Sequence, residues 1–372
     1  MLGPDQPNPS IRLRWGWIRS LDAVRPGALE LTVEVDGEQA PAVAYPGLVG
    51  ALEVGDRVLL NTTAVALGLG TGGAHLVIAT DRDEPADLGH LGRVMKARYL
   101  PHQVAVRTVE ESHREVLESS RGLEGTPVVV APLHSMIAPI AAGARAAGAR
   151  RIAYVMGDGA ALAGAFSRLV PSLREAGLLD GWISSGQAFG GELESVTIWT
   201  GLLAAVTVLE ADVIVVADGP GNLGTETTWG VSALGVGHAA NAATTLGGRP
   251  VMAIRISFAD GRDRHRGVSH HSLTMLERVV SPEAHVAVPV LEEPQRSTVW
   301  DALRSRALEE RHQLVEVEGR PALEELDRRG VAVESMGRSA LEDPAFFLAA
   351  GAAGVLAARI AVRSARWRHD LG

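Results

Sequence analysis

Between residues 11 and 80, hydrophobic and polar residues alternate in short runs separated by turn dipeptides such as Asp36-Gly37. Alternation with a period of two predicts β-strands with one buried face, because successive side chains of a strand point to opposite sides. We predict five strands, at Ile11–Leu21, Ala28–Val35, Ala40–Tyr45, Arg57–Thr62 and His75–Thr80. Five short strands in so small a segment predict a β-barrel-like domain, of the SH3-like or OB-like kind, over residues 1–87.

From residue 126 onward, continuous apolar runs alternate with segments of helical periodicity. Strands that alternate with helices indicate βαβ units around a parallel sheet. We therefore predict a doubly wound, mainly parallel, Rossmann-like α/β domain over residues 126–372, joined to the barrel by a helical connector at 88–125. The predicted strands are Thr126–Pro132, Arg151–Met156, Gly181–Ser185, Asp212–Ala217, Arg249–Ser257, His285–Leu291, Gln313–Val317 and Val331–Ser335.

Composition narrows the classes of function. The chain has 372 residues, a net charge of -9 and no cysteine. The negative charge disfavours a nucleic-acid partner. The missing thiols exclude disulfides, thiolate metal sites, iron–sulfur clusters and a cysteine nucleophile, and they fit a reducing cytosol. Arginine supplies all but one of the 35 basic residues, a bias typical of a GC-rich bacterial genome, and the one lysine, Lys96, is left without an assigned role.

The two ends of the chain bear on localisation. The N-terminal region lacks the basic segment and long apolar run of a secretory signal. The apolar run from Pro344 to Ala358 is shorter than a typical membrane span, so we interpret it as a packed C-terminal helix. We expect a cytoplasmic protein without a membrane partner; assembly into a homo-oligomer stays open.

The segment Asp260–Ser272 concentrates basic side chains directly after a predicted strand. Loops that leave the carboxyl ends of strands are where open α/β sheets bind ligands. In an extended segment, alternating arginines share one face and can clamp a phosphate or carboxylate, and histidines can shuttle protons or hold a metal. The alternative is a solvated basic loop before a serine-capped helix. The residues are Arg262, Arg264, Arg266, His265, His270 and His271.

A glycine-rich loop follows the strand at Asp212–Ala217 and contains G-x-G-x-x-G. Glycines let a backbone approach a phosphate closely. The match departs from the dinucleotide fingerprint because it contains a proline and the next helix begins late. A dinucleotide loop, another anion loop and a structural turn therefore all stay open. The candidate ligand-binding residues are Gly219, Gly221, Asn222, Gly224, Thr225 and Thr227.

Three further polar residues lie near predicted strands. Asp158 lies in a Gly-Asp-Gly turn that resembles the turn of NAD and lipid kinases, and helix capping is its alternative role. Glu192 precedes a predicted helix, where it is a candidate general base or metal ligand, or a residue stabilised by the helix dipole. His134 directly follows an apolar run and is a candidate ligand-binding residue.

Several longer strings resemble those of a bacterial family catalogued as domain of unknown function 3866. They are Gly92–Tyr99, Leu133–Ser135, Gly186–Gly191, Gly219–Thr225 and Arg264–Ser272. The resemblance spans about residues 11–360 and implies no known activity. The family pattern has Thr-Asp-Gly where this chain has Gly157-Asp158-Gly159, which favours coincidence for the kinase-like turn.

These observations favour an enzyme that hydrolyses or transfers a group of a small phosphorylated or nucleotide-like ligand. The glycine loop and the arginines would hold the anion. The histidines, with Asp158 or Glu192, would supply acid–base chemistry or hold a divalent metal. The alternative from another class is a non-catalytic nucleotide sensor, and a hydride-transfer enzyme ranks third because no nicotinamide site is evident.

Overall fold

The computed structural model describes residues 10–69, 72–82, 92–281 and 283–370. It divides into two compact units, Met1–Leu91 and Gly92–Gly372, which we describe separately. The segment 92–125, expected as a separate connector, belongs to the second unit. The sequence Asp81-Arg-Asp-Glu-Pro85 is predicted to be a linker, and its part after residue 82 lies outside the described residues.

The first unit is a closed five-stranded barrel with the order β1-β2-β3-β5-β4. Its inward-facing side chains, among them Ile18, Leu31 and Val58, alternate with outward ones and are buried, as the sequence alternation predicts. Among the described strands of this barrel, only β3 and β5 pair in parallel. The elements are β1 Leu13–Arg25, β2 Ala28–Val35, β3 Glu38–Ala44, helix α1 Pro46–Val49, β4 Arg57–Asn61, helix α2 Thr63–Ala66 and β5 His75–Thr80.

The second unit begins with a hairpin, where we had expected helices only. Strands β6 Val94–Lys96 and β7 Val104–Val106 pair antiparallel, and helices α3 Val109–Ser112 and α4 Arg114–Glu118 follow.

The main body is an eight-stranded parallel sheet with the order β11-β10-β9-β12-β8-β13-β16-β17. The doubly wound α/β prediction is confirmed. Two short antiparallel pairs, β14–β15 and β18–β19, lie outside this sheet. The strands are β8 Pro127–Val130, β9 Ile152–Gly157, β10 Gly181–Ser185, β11 Leu193–Ser195, β12 Val213–Asp218, β13 Arg249–Ala253, β14 Ile256–Ser257, β15 Gly267–Val268, β16 His285–Pro289, β17 Gln313–Val317, β18 Glu334–Ser335 and β19 Arg338–Ser339.

Helices cover both faces of this sheet, which explains why its strands are apolar along their whole length. Helices α5, α6, α11 and most of α12 bury one face, and α7, α8 and α10 bury the other. The remaining helices are α5 Ile137–Ala146, α6 Leu169–Glu175, α7 Ile198–Thr207, α8 His238–Thr245, α9 His270–Thr274, α10 Gln295–Arg304, α11 Arg320–Arg328 and α12 Pro344–Asp370.

The neighbouring strands β8 and β12 form the switch point of the sheet. The chain leaves β8 toward α5 on one face and leaves β12 toward α8 on the opposite face. The two loops therefore separate and open a crevice at the carboxyl edge, which is where α/β sheets of this class bind ligands.

Within α12, the segment Pro344–Val362 is long and apolar enough to cross a membrane by length and composition alone, but 78% of its most apolar window is buried within the protein. It packs against α5 so closely that a Cβ atom on Gly354 would lie 1.9 Å from the carbonyl oxygen of Ile140. A helix that is buried to this extent is a core helix. This agrees with the packed C-terminal helix that the sequence predicts from Pro344 to Ala358.

Candidate functional site

A cavity of about 280 Å³ lies at the carboxyl edge, between the loops that follow β8, β12 and β13. The loop after β8 contributes Pro132, and the loop after β12 contributes Asn222. The segment after β13 contributes most of the polar lining. Those polar residues are Arg255, Arg262, His265, Ser269, His271 and Ser272.

Three histidines cluster here: His265 and His271 line the cavity, and His270 lies beside them. The centroids of the rings lie 5.4 Å apart for His265 and His270, 5.1 Å for His265 and His271, and 3.9 Å for His270 and His271. Each offers a ring nitrogen within 4.8 Å of the other two, and no other set of three metal-ligating residues does so among the described residues. The three histidines are therefore close enough to share one ion after a small rotation of the rings.

Protein contacts hold the rings of His265 and His271, and Nε2 has no protein partner in His270 and His271. Nδ1 of His265 lies 2.8 Å from the hydroxyl of the buried Ser269. His271 is hydrogen-bonded to the backbone of Thr225. Nε2 of His270 and Nε2 of His271 are both buried without a hydrogen-bond partner among the described residues. A second contact that fixes the ring and its tautomer is the usual environment of a metal-binding histidine.

All three imidazoles are held in the neutral form. Burial, followed by the charges of Arg255 and Arg262, lowers the pKa of His265 to about 3. Burial and the charge of His270 lower the pKa of His271 to about 4, and burial with Arg264 lowers that of His270. A neutral imidazole carries the lone pair that a metal needs.

Arginines form one wall of the cavity around a buried carboxylate. Asp260 accepts two hydrogen bonds from Arg262, at 2.9 and 2.8 Å, and one from Arg255 at 2.7 Å. Hydrogen bonding from Arg262 is the main reason that the pKa of Asp260 lies well below its usual range. Nε of Arg255 is buried without a partner among the described residues. This nitrogen is therefore available to donate a hydrogen bond to an anion.

The expectation that the three alternating arginines share one face was wrong. Residues Asp263–His265 form a 3-10 turn, so the segment is not extended. Arg262 bonds Asp260, Arg264 pairs with Glu226 at 3.0 Å, and Arg266 is exposed.

Several candidate residues of the glycine-rich loop make contacts within the protein. Asn222 donates to the carbonyl of Pro132 at 2.7 Å and so ties the loop after β12 to the loop after β8. The hydroxyls of Thr225 and Thr227 lie 2.8 Å apart and bond to Gly230, which closes a turn. Gly224 packs closely against His271, because a Cβ atom at residue 224 would lie 3.1 Å from Cε1 of the His271 ring.

Gly219 and Gly221 lie at a neighbouring cavity of about 350 Å³ together with His134. Nδ1 of His134 lies 3.1 Å from the carbonyl of Asp218, and its Nε2 lies 2.8 Å from the hydroxyl of Ser167. Burial lowers the pKa of His134 to about 4. Both ring nitrogens of His134 thus have protein partners.

Two predicted catalytic carboxylates do not join the histidines. Asp158 lies at a third cavity of the carboxyl edge. Glu192 lies next to Gly181, at the amino end of β10, and pairs with Arg174 at 2.6 Å. Glu192 immediately precedes β11, and a residue that precedes a parallel strand lies at the amino edge of the sheet.

Sequence reasoning missed several residues of the histidine cavity, chiefly Arg255, Asp260 and Ser269. Arg255 interrupts the apolar run from Pro250 to Ile256, and a lone arginine in such a run signals a buried ion pair. Ser269 gave no signal beyond helix capping.

The chain was compared with known families and curated proteins. A model of the family described as "Protein of unknown function (DUF3866)" matches residues 41–354. The comparison with curated proteins finds no match. The matched region includes the whole histidine cavity and most of both units. The chain therefore belongs to the DUF3866 family.

Proposed function

We propose that the second unit is a metal-dependent hydrolase of a small phosphorylated or nucleotide-like ligand. The observation that carries this proposal is a cluster of three neutral imidazoles, two of which line a cavity of the carboxyl edge together with Arg255 and Arg262. Hydrolysis is favoured over group transfer, because a metal site with three nitrogen ligands leaves a coordination position for water.

The donor set selects the kind of metal. Three imidazole nitrogens suit zinc and neighbouring transition metals, whereas calcium and magnesium prefer oxygen ligands. The carboxylate of Asp260, which lies beside the site, is already held by Arg255 and Arg262. We therefore assign His265, His270 and His271 as the ligands of a transition metal, with zinc as the first choice.

The charge of the site favours an anionic ligand. Three neutral histidines leave the charge of a divalent ion uncompensated. Arg255 and Arg262 share the carboxylate of Asp260, so this arginine wall retains a net positive charge. A phosphate oxygen could bind the metal while the guanidinium groups bind its other oxygens.

The chemistry needs only water as a second reactant. A divalent ion held by His265, His270 and His271 would activate water as the nucleophile. Hydrolysis would consume one water, form one P–O bond and break the bond to the leaving oxygen, which would take up a proton from solvent. The arginines would stabilise the charge that accumulates on the phosphoryl oxygens.

The test is hydrolysis of para-nitrophenyl phosphate and bis(para-nitrophenyl) phosphate by the full-length chain, stripped of metal and then supplied with zinc, manganese, cobalt or magnesium. We expect turnover with a transition metal and at least a hundredfold loss in His271→Ala, while Arg266→Ala, at an exposed arginine, keeps the activity. Arg255→Met should raise KM, because that side chain holds the anion.

Turnover that is independent of metal, or that survives in His271→Ala, would overturn this assignment. Saturable binding of AMP or ADP without hydrolysis of either ester would instead support the non-catalytic sensor.

A further inference from the structure

A separate cavity of about 350 Å³ lies at the carboxyl ends of β9, β10 and β12. Among the described residues it shares no lining residue with the histidine cavity. Its polar lining includes Asp158, Asp218, Ser185 and His238. The function proposed above uses none of these side chains.

Asp218 lines this cavity and has a carboxylate oxygen without a hydrogen-bond partner among the described residues. Asp218 is only 4% exposed to solvent. Oδ1 accepts a hydrogen bond from the amide of Gly159 at 3.1 Å, whereas Oδ2 is buried without a partner among the described residues. Burial is the main cause that raises the pKa of Asp218 to about 6. A buried carboxylate oxygen is costly unless a donor reaches it, so this position is suited to a ligand that donates hydrogen bonds.

The charged side chains that line this cavity favour the binding of a cation. Asp158 and Asp218 both line the cavity, and none of its described lining residues is a lysine or arginine. Two nearby amides are already occupied, because Gly159 donates to Asp218 and Gln187 donates to Asp158 at 2.8 Å. An anion would meet two carboxylates and few free donors, so the glycines here do not make a phosphate loop.

The size of the cavity favours an organic cation. Among the described residues, Asp158, Asp218 and His238 do not form a group of three close metal-ligating residues. The cavity has room for several heavy atoms, which an organic cation would fill better than a bare metal ion.

We propose that this cavity binds a small primary ammonium compound, whose N–H groups donate to Oδ2 of Asp218 and to the carboxylate of Asp158. The site is independent of the histidine cavity, and its ligand would be a second substrate or an effector.

The probe is putrescine, with 1,4-butanediol as its uncharged analogue and inorganic phosphate as the competing anion. Binding to the full-length chain is measured by titration calorimetry at low ionic strength. We expect putrescine to bind saturably and at least tenfold more tightly than butanediol. Asp218→Asn and Asp158→Asn should each weaken putrescine at least tenfold, whereas Asp301→Asn, which changes an exposed carboxylate of α10, should not.

A second variant keeps both carboxylates and closes the cavity. A Cβ atom on Gly235 would meet open space, so Gly235→Leu should fold normally and abolish putrescine binding. Absence of saturable putrescine binding to the wild-type chain would overturn the proposal. Undiminished binding in Gly235→Leu and Asp218→Asn, or phosphate binding that both variants abolish, would also overturn it.

Discussion

The hydroxyl of Ser269 lies 2.8 Å from Nδ1 of His265 and thereby fixes the orientation of that ring. Ser269 is fully buried at the start of α9, so the same residue that begins the helix also holds a candidate metal ligand from the preceding turn. The helix itself carries the other two histidines. The geometry of the candidate metal site therefore depends on one buried serine as well as on its three ligands.

The first prediction concerns this serine. Ser269→Ala should weaken zinc binding by about 10- to 100-fold, the usual effect of losing an outer contact to a metal-binding histidine. The stoichiometry should stay unchanged, because all three ligands remain. Competition with a chromophoric chelator measures the affinity, and Ser305→Ala, at an exposed serine after α10, is the control. Equal affinities in the two variants would show that Ser269 does not position His265.

The second prediction assigns a structural role to the only lysine. Nζ of Lys96 donates to the carbonyls of Ser184 and Ala188, at 2.9 and 2.7 Å, and lies 2.7 Å from Oε2 of Glu194. Its three donors are all satisfied at zero exposure, and burial lowers its pKa. Lys96→Met should cost about 3–5 kcal/mol of folding free energy, because it leaves the Glu194 carboxylate buried and uncompensated.

Urea denaturation checks this value. Adding Glu194→Gln to Lys96→Met should recover part of the loss, since the orphaned charge is then removed. A stable Lys96→Met variant that has lost activity would reverse the assignment and make Lys96 functional.

The third prediction is a pH dependence caused by Asp218. Its pKa is raised from 3.8 to about 6, mainly by burial, with a smaller contribution from the charge of Asp158. The folded state therefore binds the proton more tightly than the unfolded state does. The resulting stabilisation is present at low pH and is lost as the pH rises through the window between these two values.

Asp218→Asn should remove that dependence and raise the free energy of unfolding at pH 7.5 by up to about 3 kcal/mol. An asparagine can still accept from the amide of Gly159, so the fold should be kept. Urea denaturation of both proteins between pH 4 and pH 8 provides the measurement. Parallel curves for wild type and variant would mean that Asp218 titrates normally.

The fold was largely predictable from the sequence, because the hydrophobic pattern that indicates a strand or helix lies within the residues of that element. Strands β2 and β5 begin and end at the predicted residues. The segment in which hydrophobic and polar residues alternate folds as the closed barrel. The continuous apolar runs correctly indicated a parallel sheet covered on both faces. Strand β11, of three residues, was missed because so short a run shows no period. After the glycine-rich loop, Ser232–Gly237 form a 3-10 helix that contains two glycines, and α8 begins at His238.

The candidate site was predictable only in part. The sequence placed the three histidines within one short segment, but adjacent histidines on a helix point in different directions, and their convergence depends on the 3-10 turn that brings His265 back to α9. Likewise, the unsatisfied oxygen of Asp218 results from the packing of β9 beside β12. Contacts between segments distant in sequence leave no periodic signal along the chain.

The most direct test of the metal site is the metal content of the purified chain, measured together with thermal stability for the wild type, His270→Ala, His271→Ala and Arg266→Ala. We predict one equivalent of zinc or a similar transition metal per chain in the wild type and in Arg266→Ala, with loss of that metal in both histidine variants. After metal is removed from all four proteins, their melting temperatures should agree closely, because the histidines then contribute little to folding. A large fall in melting temperature in the histidine variants with unchanged metal content would contradict the account and make the cluster structural.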